Sequence, residues 1–401
     1  MKKVLIIARY FGTRIPALVK YLPGFGWQPV LLTTALPPDS DMPPEIAVIE
    51  TGSRTESHFA PAAGRSILDR FLAVGGEIVN YPDSYKGWKD SAIRAGDDLL
   101  RKDNFDAVIS SSSPITAHLI AGELKSRHGL PWLADLRDLW SQNHNYYYSP
   151  LRRAFDRRLE HKTLSAADAL VTVSRPWADR LAKLHPGKKI YAITNGYDAD
   201  MTSVTPSALT SKFTVSYTGN IYRGKQSPAR LFTPLRSLIS EGAITPDDVE
   251  VRFYGPALAW LDKEINKAEL SGIVRQYGTV SRQVAVEKQR ESQVLWLMDW
   301  DDPTEDGWYP LKIFEYLGTG RPVLATGGAA GSAVDRLLAA TKGGVHAITV
   351  EDIKNTLRDL YNEYKLKGEV SCYGLREEIG KYTHREMTGR FVTVLEGLLE
   401  R

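Results

Sequence analysis

The stretch PLKIFEYLGTGRPVLAT, Pro310–Thr326, decides how this chain is read. From Leu311 to Leu317 the apolar residues fall at helical spacing. Gly318 and Gly320 then close the helix, and Pro322 opens a short β-branched strand, Val323–Ala325. A helix that turns straight into an apolar strand is half of a βαβ unit. On that helix Lys312 and Glu315 stand at i and i+3, so they are neighbours on its surface.

Working outward, the same alternation repeats in both directions. Strand patterns occur at Val4–Ala8, Val30–Thr34, Ala107–Ser110, Trp132–Asp135, Ala169–Ser174 and Tyr191–Thr194. A second series follows at Phe213–Thr218, Glu250–Tyr254, Val274–Tyr277 and Val294–Met298. Helical patterns separate them, among them Ala117–His128, Leu151–Ala166, Pro228–Glu241 and Arg282–Ser292. The expected fold class is α/β, with two doubly wound Rossmann-like domains facing a cleft. The expected boundaries are an N-terminal domain over 1–198, a Ser/Thr-rich linker over 199–212, and a C-terminal domain over 213–375. A terminal helix over 376–401 is expected to cross back to the first domain.

The 401 residues exceed what one core usually organises, which agrees with two domains. The apolar fraction is 43% and the charged fraction 25%, values of an ordinary globular protein. A net charge of +3 is too small to point to nucleic acid. The single cysteine, Cys372, excludes an internal disulfide and a cysteine metal cluster. No apolar run approaches the length of a membrane span, and VLIIARYF at the N-terminus reads as a buried strand. The expected location is cytoplasmic, with at most peripheral contact at the inner face of a membrane.

Several segments carry chemistry. In SYTGNIYRGKQSP, Ser216–Pro228, a strand ends at Gly219, and Asn220, Arg223 and Lys225 follow before a helix. Such a turn and helix start cradle phosphate oxygens, and a cation adds charge. DLRDLW, Asp135–Trp140, places Arg137 and Asp138 at the C-terminal end of a strand, where ligands of such sheets bind. Gly12 follows the first strand and Gly278 follows Val274–Tyr277. His118 and His144 are weaker candidates. Asp299, Asp301 and Asp302 read as a solvated turn before Pro303, and no metal-ligand pattern is present. YYYSPLRRAFDRRLEHK, Tyr146–Lys162, is aromatic and then basic. Arg152, Arg153, Arg157 and Arg158 can share one helix side and rest on anionic lipid, or the helix can pack on Leu151, Phe155 and Leu159. Read singly, Lys225 and the Lys312–Glu315 pair are simply surface charges.

Together they resemble the retaining glycosyltransferases of the GT-B fold, specifically the family 4-like group. The Gly219-to-Lys225 spacing and KIFEYLGTGRPV, Lys312–Val323, match that family's pattern. PGFGWQPVLLTT (Pro23–Thr34), LPWLADLRDLW (Leu130–Trp140) and SAADALVTVS (Ser165–Ser174) are similar to its N-terminal segments, in order. The resemblance implies sugar transfer from a nucleotide-sugar to an acceptor hydroxyl with retention, in cell-surface glycan or glycoconjugate synthesis. It implies no cofactor and no metal beyond that co-substrate, and a glycan, lipid-linked or small-molecule acceptor. It gives Lys225 to the leaving diphosphate and Glu315 to the ribose. Gly219, Asn220, Arg223, Gly278, Lys312, Gly12 and Asp306 would surround the donor, and Asp138 would orient the acceptor. Two departures stand out: Asn220 replaces the family's arginine, and Gly307 replaces a glutamate eight residues before Glu315. They motivate a second reading, a non-catalytic sugar-nucleotide-binding partner subunit.

Overall fold

A computed structural model describes residues 1–37, 40, 42–52, 80–143, 148–202, 208–302 and 305–400. His144, Tyr146, Tyr147, residues 203–207 of the expected linker and residues 53–79 of the expected acceptor region lie outside them. The chain divides into two compact units, Met1–Asn195 with His384–Arg401, and Gly196–Thr383.

In the first unit the strands are β1 (Lys2–Ala8), β2 (Trp27–Thr33), β3 (Ala47–Glu50), β4 (Ala107–Ser112), β5 (Trp132–Leu136), β6 (Ala169–Thr172) and β7 (Lys189–Ala192). They form a parallel sheet in the order β3-β2-β1-β4-β5-β6-β7. Its helices are α1 (Arg14–Tyr21), α2 (Lys89–Lys102), α3 (Thr116–His128), α4 (Pro150–Leu164) and α5 (Arg175–Leu184). Strands covered on both faces are near-continuous apolar runs, and Val4, Leu5, Ile6 and Ile7 are all fully buried.

The second unit repeats the plan. Its strands are β8 (Phe213–Thr218), β9 (Val249–Tyr254), β10 (Val274–Gln276), β11 (Val294–Met298), β12 (Val323–Thr326) and β13 (Gly344–Ala347). All pair in parallel, in the order β10-β9-β8-β11-β12-β13. Its helices are α6 (Ala199–Thr202), α7 (Ala229–Ser240), α8 (Ala259–Lys267), α9 (Arg282–Arg290), α10 (Lys312–Thr319), α11 (Ala333–Thr341), α12 (Val350–Lys367) and α13 (Arg376–Gly380). The strand order reverses between β1 and β4 in one sheet and between β8 and β11 in the other. Such switch points leave a crevice outside the carboxyl ends of the strands.

The chain passes between the units at Asn195–Gly196 and Thr383–His384, not within the Ser/Thr-rich stretch. That stretch stays with the second unit: the Thr210 amide donates to the Glu291 carbonyl and the Thr210 carbonyl accepts from Gln293. The two crossings run side by side. The Tyr197 amide donates to the Tyr382 carbonyl at 3.0 Å, and a Cβ on Gly196 would come within 2.6 Å of that oxygen. Helix α13 stays with the second unit. Helix α14 (His384–Leu399) belongs to the first, where Met387, Phe391, Leu395 and Leu398 pack with Ile15, Leu18 and Leu22.

Candidate active site

The geometry starts at Gly219. It follows β8 with φ +101°, a conformation that only glycine adopts without strain. Its amide donates to the Tyr254 carbonyl at 2.7 Å, and a Cβ on Gly255 would meet the Gly219 carbonyl oxygen at 2.4 Å. The Gly255 amide in turn donates to the Gly278 carbonyl at 3.0 Å. Three glycines from β8, β9 and the turn after β10 therefore lie in sequence along the sheet's carboxyl edge.

Helix α10 brings its charges to the same edge. A Cβ on Gly219 would sit 3.4 Å from the Lys312 Nζ, so the glycine leaves room for that ammonium. Lys312 lies over the Tyr217 ring, 3.8 Å from its centroid, and donates to the Tyr217 hydroxyl at 2.6 Å. It is not the surface cation that an i, i+3 pair suggests. Burial lowers its pKa from 10.5 to about 7, opposed by the nearby Glu315 carboxylate. Glu315 accepts from Gln289 Nε2 at 2.6 Å, and Arg282 Nη2 stands 3.5 Å from its other oxygen. Gln289 Nε2 also donates to Thr218 Oγ1 at 2.9 Å, tying α9 to β8 and α10 together.

Lys225 and Arg223 are placed by different neighbours. Gln226 pins their loop across the switch point: its Oε1 accepts from the Tyr222 amide at 2.9 Å and its Nε2 donates to the Met298 carbonyl at 2.7 Å. The Asp301 amide donates to the Lys225 carbonyl at 2.9 Å. The Lys225 ammonium lies 5.4 Å from the Trp300 ring, which stacks on Trp308 at 3.8 Å. Arg223 lies over Trp260 at 5.8 Å. These cations, with Trp260, Lys263, Glu264, Asp301 and the start of α7, line a cavity of about 350 Å³. Asn220 contributes its carbonyl, which accepts from the Tyr217 hydroxyl at 2.6 Å.

The acidic cluster departs from the solvated turn that its sequence suggests. Asp299 is buried, and burial lifts its carboxyl to about 6, partly offset by the Trp300 amide that it accepts. A Cβ on Gly328 would meet its Oδ2 at 2.5 Å, so the Gly327–Gly328 turn closes over it. Gly307 is buried, and its amide donates to Glu305 Oε1 at 2.9 Å. The carbonyl of the exposed Asp306 accepts from the Ala333 amide at 3.0 Å. Among the described residues no group of three histidine, cysteine or acidic side chains is placed to hold a metal ion.

In the first unit the switch point gathers Gly12, Arg137 and Asp138. Gly12 has φ +71°, and a Cβ there would lie 3.7 Å from Arg137 Nη1. Arg137 donates to the carbonyls of Ser112 and Ser113, and burial lowers its pKa. Asp138 is half-buried beside it, and the charges of Asp135 and then Asp138 oppose that shift. The hydrogen bonds of Asp135 go elsewhere: it accepts from Arg14 at 2.8 Å and from Ser111 at 2.6 Å. His118 is buried, bonded to Ser110 at 2.7 Å, and burial drops its pKa to about 4. It is a neutral core histidine. Gln226 and Gln289 were not singled out from sequence. The available signal was a buried polar side chain at the spacing of an apolar one, as with Val286 and Gln289 on α9.

Residues 11–196 match the model of the glycosyl transferase 4-like domain, which is nearly all of the first unit outside its terminal helix. The first unit therefore carries a match to a glycosyl transferase 4-like domain, and the paired α/β sheets of the chain have the expected GT-B fold. The fold of the chain is similar to that of a glycosyltransferase from Rickettsia africae, with a TM-score of 0.67 at 13% identity, covering 100% of this chain and 99% of that one. Sucrose-phosphate synthase from Thermosynechococcus elongatus gives 0.66 at 12% identity over 100% of both chains. Anabaena Alr3699/HepE, solved in complex with UDP and glucose, gives 0.64 at 12% over 99% of this chain and 100% of that one. No curated protein matches the chain by sequence.

Proposed function

We propose that this glycosyltransferase moves a sugar from a nucleotide diphosphate donor to an acceptor hydroxyl with retention, without a metal ion. The observation that carries the reading is the convergence of Gly219, Lys312 and Glu315 at one sheet edge, with Lys225 on the adjoining loop. Lys225 and the start of α7 neutralise the departing diphosphate, and Lys312 supplies a second, desolvated cation. Glu315, oriented by Gln289, accepts hydrogen bonds from the ribose diol. The glycines at 219, 255 and 278 let backbone approach the nucleotide closely. Asp138 orients the acceptor hydroxyl, in the unit that carries the 4-like domain. The complexes of Anabaena Alr3699/HepE with UDP and UDP-glucose support a uridine donor as the first to test. The acceptor is a glycan, lipid-linked or small hydroxyl compound of cell-surface synthesis, reached from the cytoplasm.

A second reading, a sugar-nucleotide-binding subunit without turnover, is favoured by one feature. Position 307 has no side chain, and the Glu305 carboxylate serves the Gly307 amide of its own loop. Incubation with UDP-, GDP-, ADP- and dTDP-sugars separates the two. Slow nucleotide release from one donor is expected of the transferase, and tight binding without release, with candidate acceptors present, supports the subunit. Lys225→Ala and Glu315→Ala are each expected to weaken donor affinity at least about tenfold, the loss of one charge-assisted contact. Unchanged calorimetric affinity in both variants rejects the site.

A further inference from the structure

Helix α4 is amphipathic the wrong way round. Arg152, Asp156 and Glu160, at i, i+4 and i+8, are its buried face, at 6%, 2% and 0% exposure. Leu151 and Phe155 point to solvent at 69% and 55%. The alternative that the helix packs on Leu151, Phe155 and Leu159 is overturned for the first two, while Leu159 is half-buried, and the place of Arg152 on the basic face is overturned too. The reason is a polar cluster that takes the inward side. Arg152 pairs with Asp156 at 2.8 Å and lies over the rings of Tyr81 and Tyr148 at 4.7 and 4.5 Å. Glu160 accepts from the Ser141 amide at 2.9 Å and stands 3.2 Å from His185 Nε2.

Both acids of the helix are thereby drawn inside. The outward surface keeps Arg153, Arg157, Arg158 and Lys162, all exposed. Arg157, Arg158 and Lys162 form no ion pair among the described residues. Leu151, Phe155, Arg158 and Lys162 recur at i, i+4, i+7 and i+11, which puts them on one stripe, apolar in its first turns and cationic in its last. Leaving a leucine and a phenylalanine in water forgoes stabilisation that burial would give. A polyanion such as nucleic acid satisfies the cations and leaves that apolar surface wet. A bilayer interface of anionic lipid satisfies both: phosphates meet the cations, and the acyl boundary receives the apolar side chains. No helix among the described residues is long and apolar enough to cross a membrane, so the contact is in-plane.

We propose that the outward face of α4 docks on anionic phospholipid, with Leu151 and Phe155 entering the acyl boundary and Arg157, Arg158 and Lys162 on the headgroups. The surface uses none of the residues assigned to donor or acceptor, so it stands or falls separately from the reaction. The test is co-sedimentation of the full chain with phosphatidylglycerol–phosphatidylcholine vesicles and with phosphatidylcholine alone. Binding to the first only is expected. Leu151→Ser with Phe155→Ser, and Arg157→Glu with Arg158→Glu, should each lower the partition coefficient at least about tenfold. Lys162→Glu gives a milder loss and serves if a double variant does not fold, as judged by thermal melting. Absence of binding, equal binding to neutral vesicles, or full binding by either double variant overturns the proposal. Full retention in the serine variant would identify a receptor of soluble polyanions instead.

Discussion

Lys312 is the residue whose behaviour is set most sharply by its surroundings. Its ammonium sits under the Gly219 turn against the Tyr217 ring and hydroxyl, away from water. A lysine whose folded pKa is about 7 binds fewer protons in the native state than in the unfolded state between pH 7 and its ordinary 10.5. Stability associated with it therefore rises with pH across that window, and the burial penalty is full below about pH 7. Lys312→Met is expected to raise the melting temperature most at pH 6 and progressively less toward pH 10. The same variant should lose donor affinity. A gain in melting temperature that is equal at both pH values would show that burial does not govern this lysine. Gln289 acts at the same scale. It is fully buried and reaches both Thr218 and Glu315, so it fixes the carboxylate without needing contact with substrate.

At the scale of elements, α10 is the link between the residues proposed to bind the donor and the crossings of the chain. Gly318, one helical turn beyond Glu315, faces Tyr197, and a Cβ there would come within 2.4 Å of the tyrosine ring. Tyr197 and Tyr382, which flank the two crossings, pack with Ile313, Phe314 and Leu317 of this helix. Gly318 is therefore held by packing even though glycine is a poor helix former. Gly318→Ala is expected to destabilise by about 1–3 kcal/mol through overpacking, against a propensity gain of up to about 1 kcal/mol. In a Tyr197→Ala background the substitution should become neutral or stabilising. Urea melts of the four proteins form the cycle, and an unchanged penalty in that background would place the clash elsewhere. Helix α4 teaches the complementary lesson: its orientation follows the polar cluster of Arg152, Asp156 and Glu160, not its leucines.

For the whole molecule, two units with separate cores should unfold separably. The first unit is closed by a helix more than 180 residues downstream of its last strand, through Phe391 against the Arg14 guanidinium at 4.8 Å and a shared core with α1. Phe391→Ala should cost about 3–5 kcal/mol in the transition of the first unit and leave the second nearly unchanged. A saturating donor should do the opposite. At about a hundredfold over its dissociation constant it adds about 2.7 kcal/mol to the unit that binds it. Differential scanning calorimetry separates these cases, and a donor that shifted only the transition weakened by Phe391→Ala would put the nucleotide in the wrong unit.

The sequence by itself determined that this is a doubly wound α/β protein in two parts. Strands buried on both faces read as near-continuous apolar runs, and Val4–Ile7 and Val294–Met298 announce themselves for that reason. It also carried the Gly219 turn and the Lys312–Glu315 helix, because chain spacing fixes local geometry. Edge strands such as β3 and β13 and the long α12 were not legible, since Ala47–Glu50 and Gly344–Ala347 are short and only partly buried. Only the tertiary structure decided which side of a pattern faces inward. It buried Lys312 and Asp299, bonded Glu315 to Gln289, and turned α4 so that arginine and acids go in while Leu151 and Phe155 face out. Those outcomes depend on partners remote in the chain, and periodicity along one helix carries no record of them.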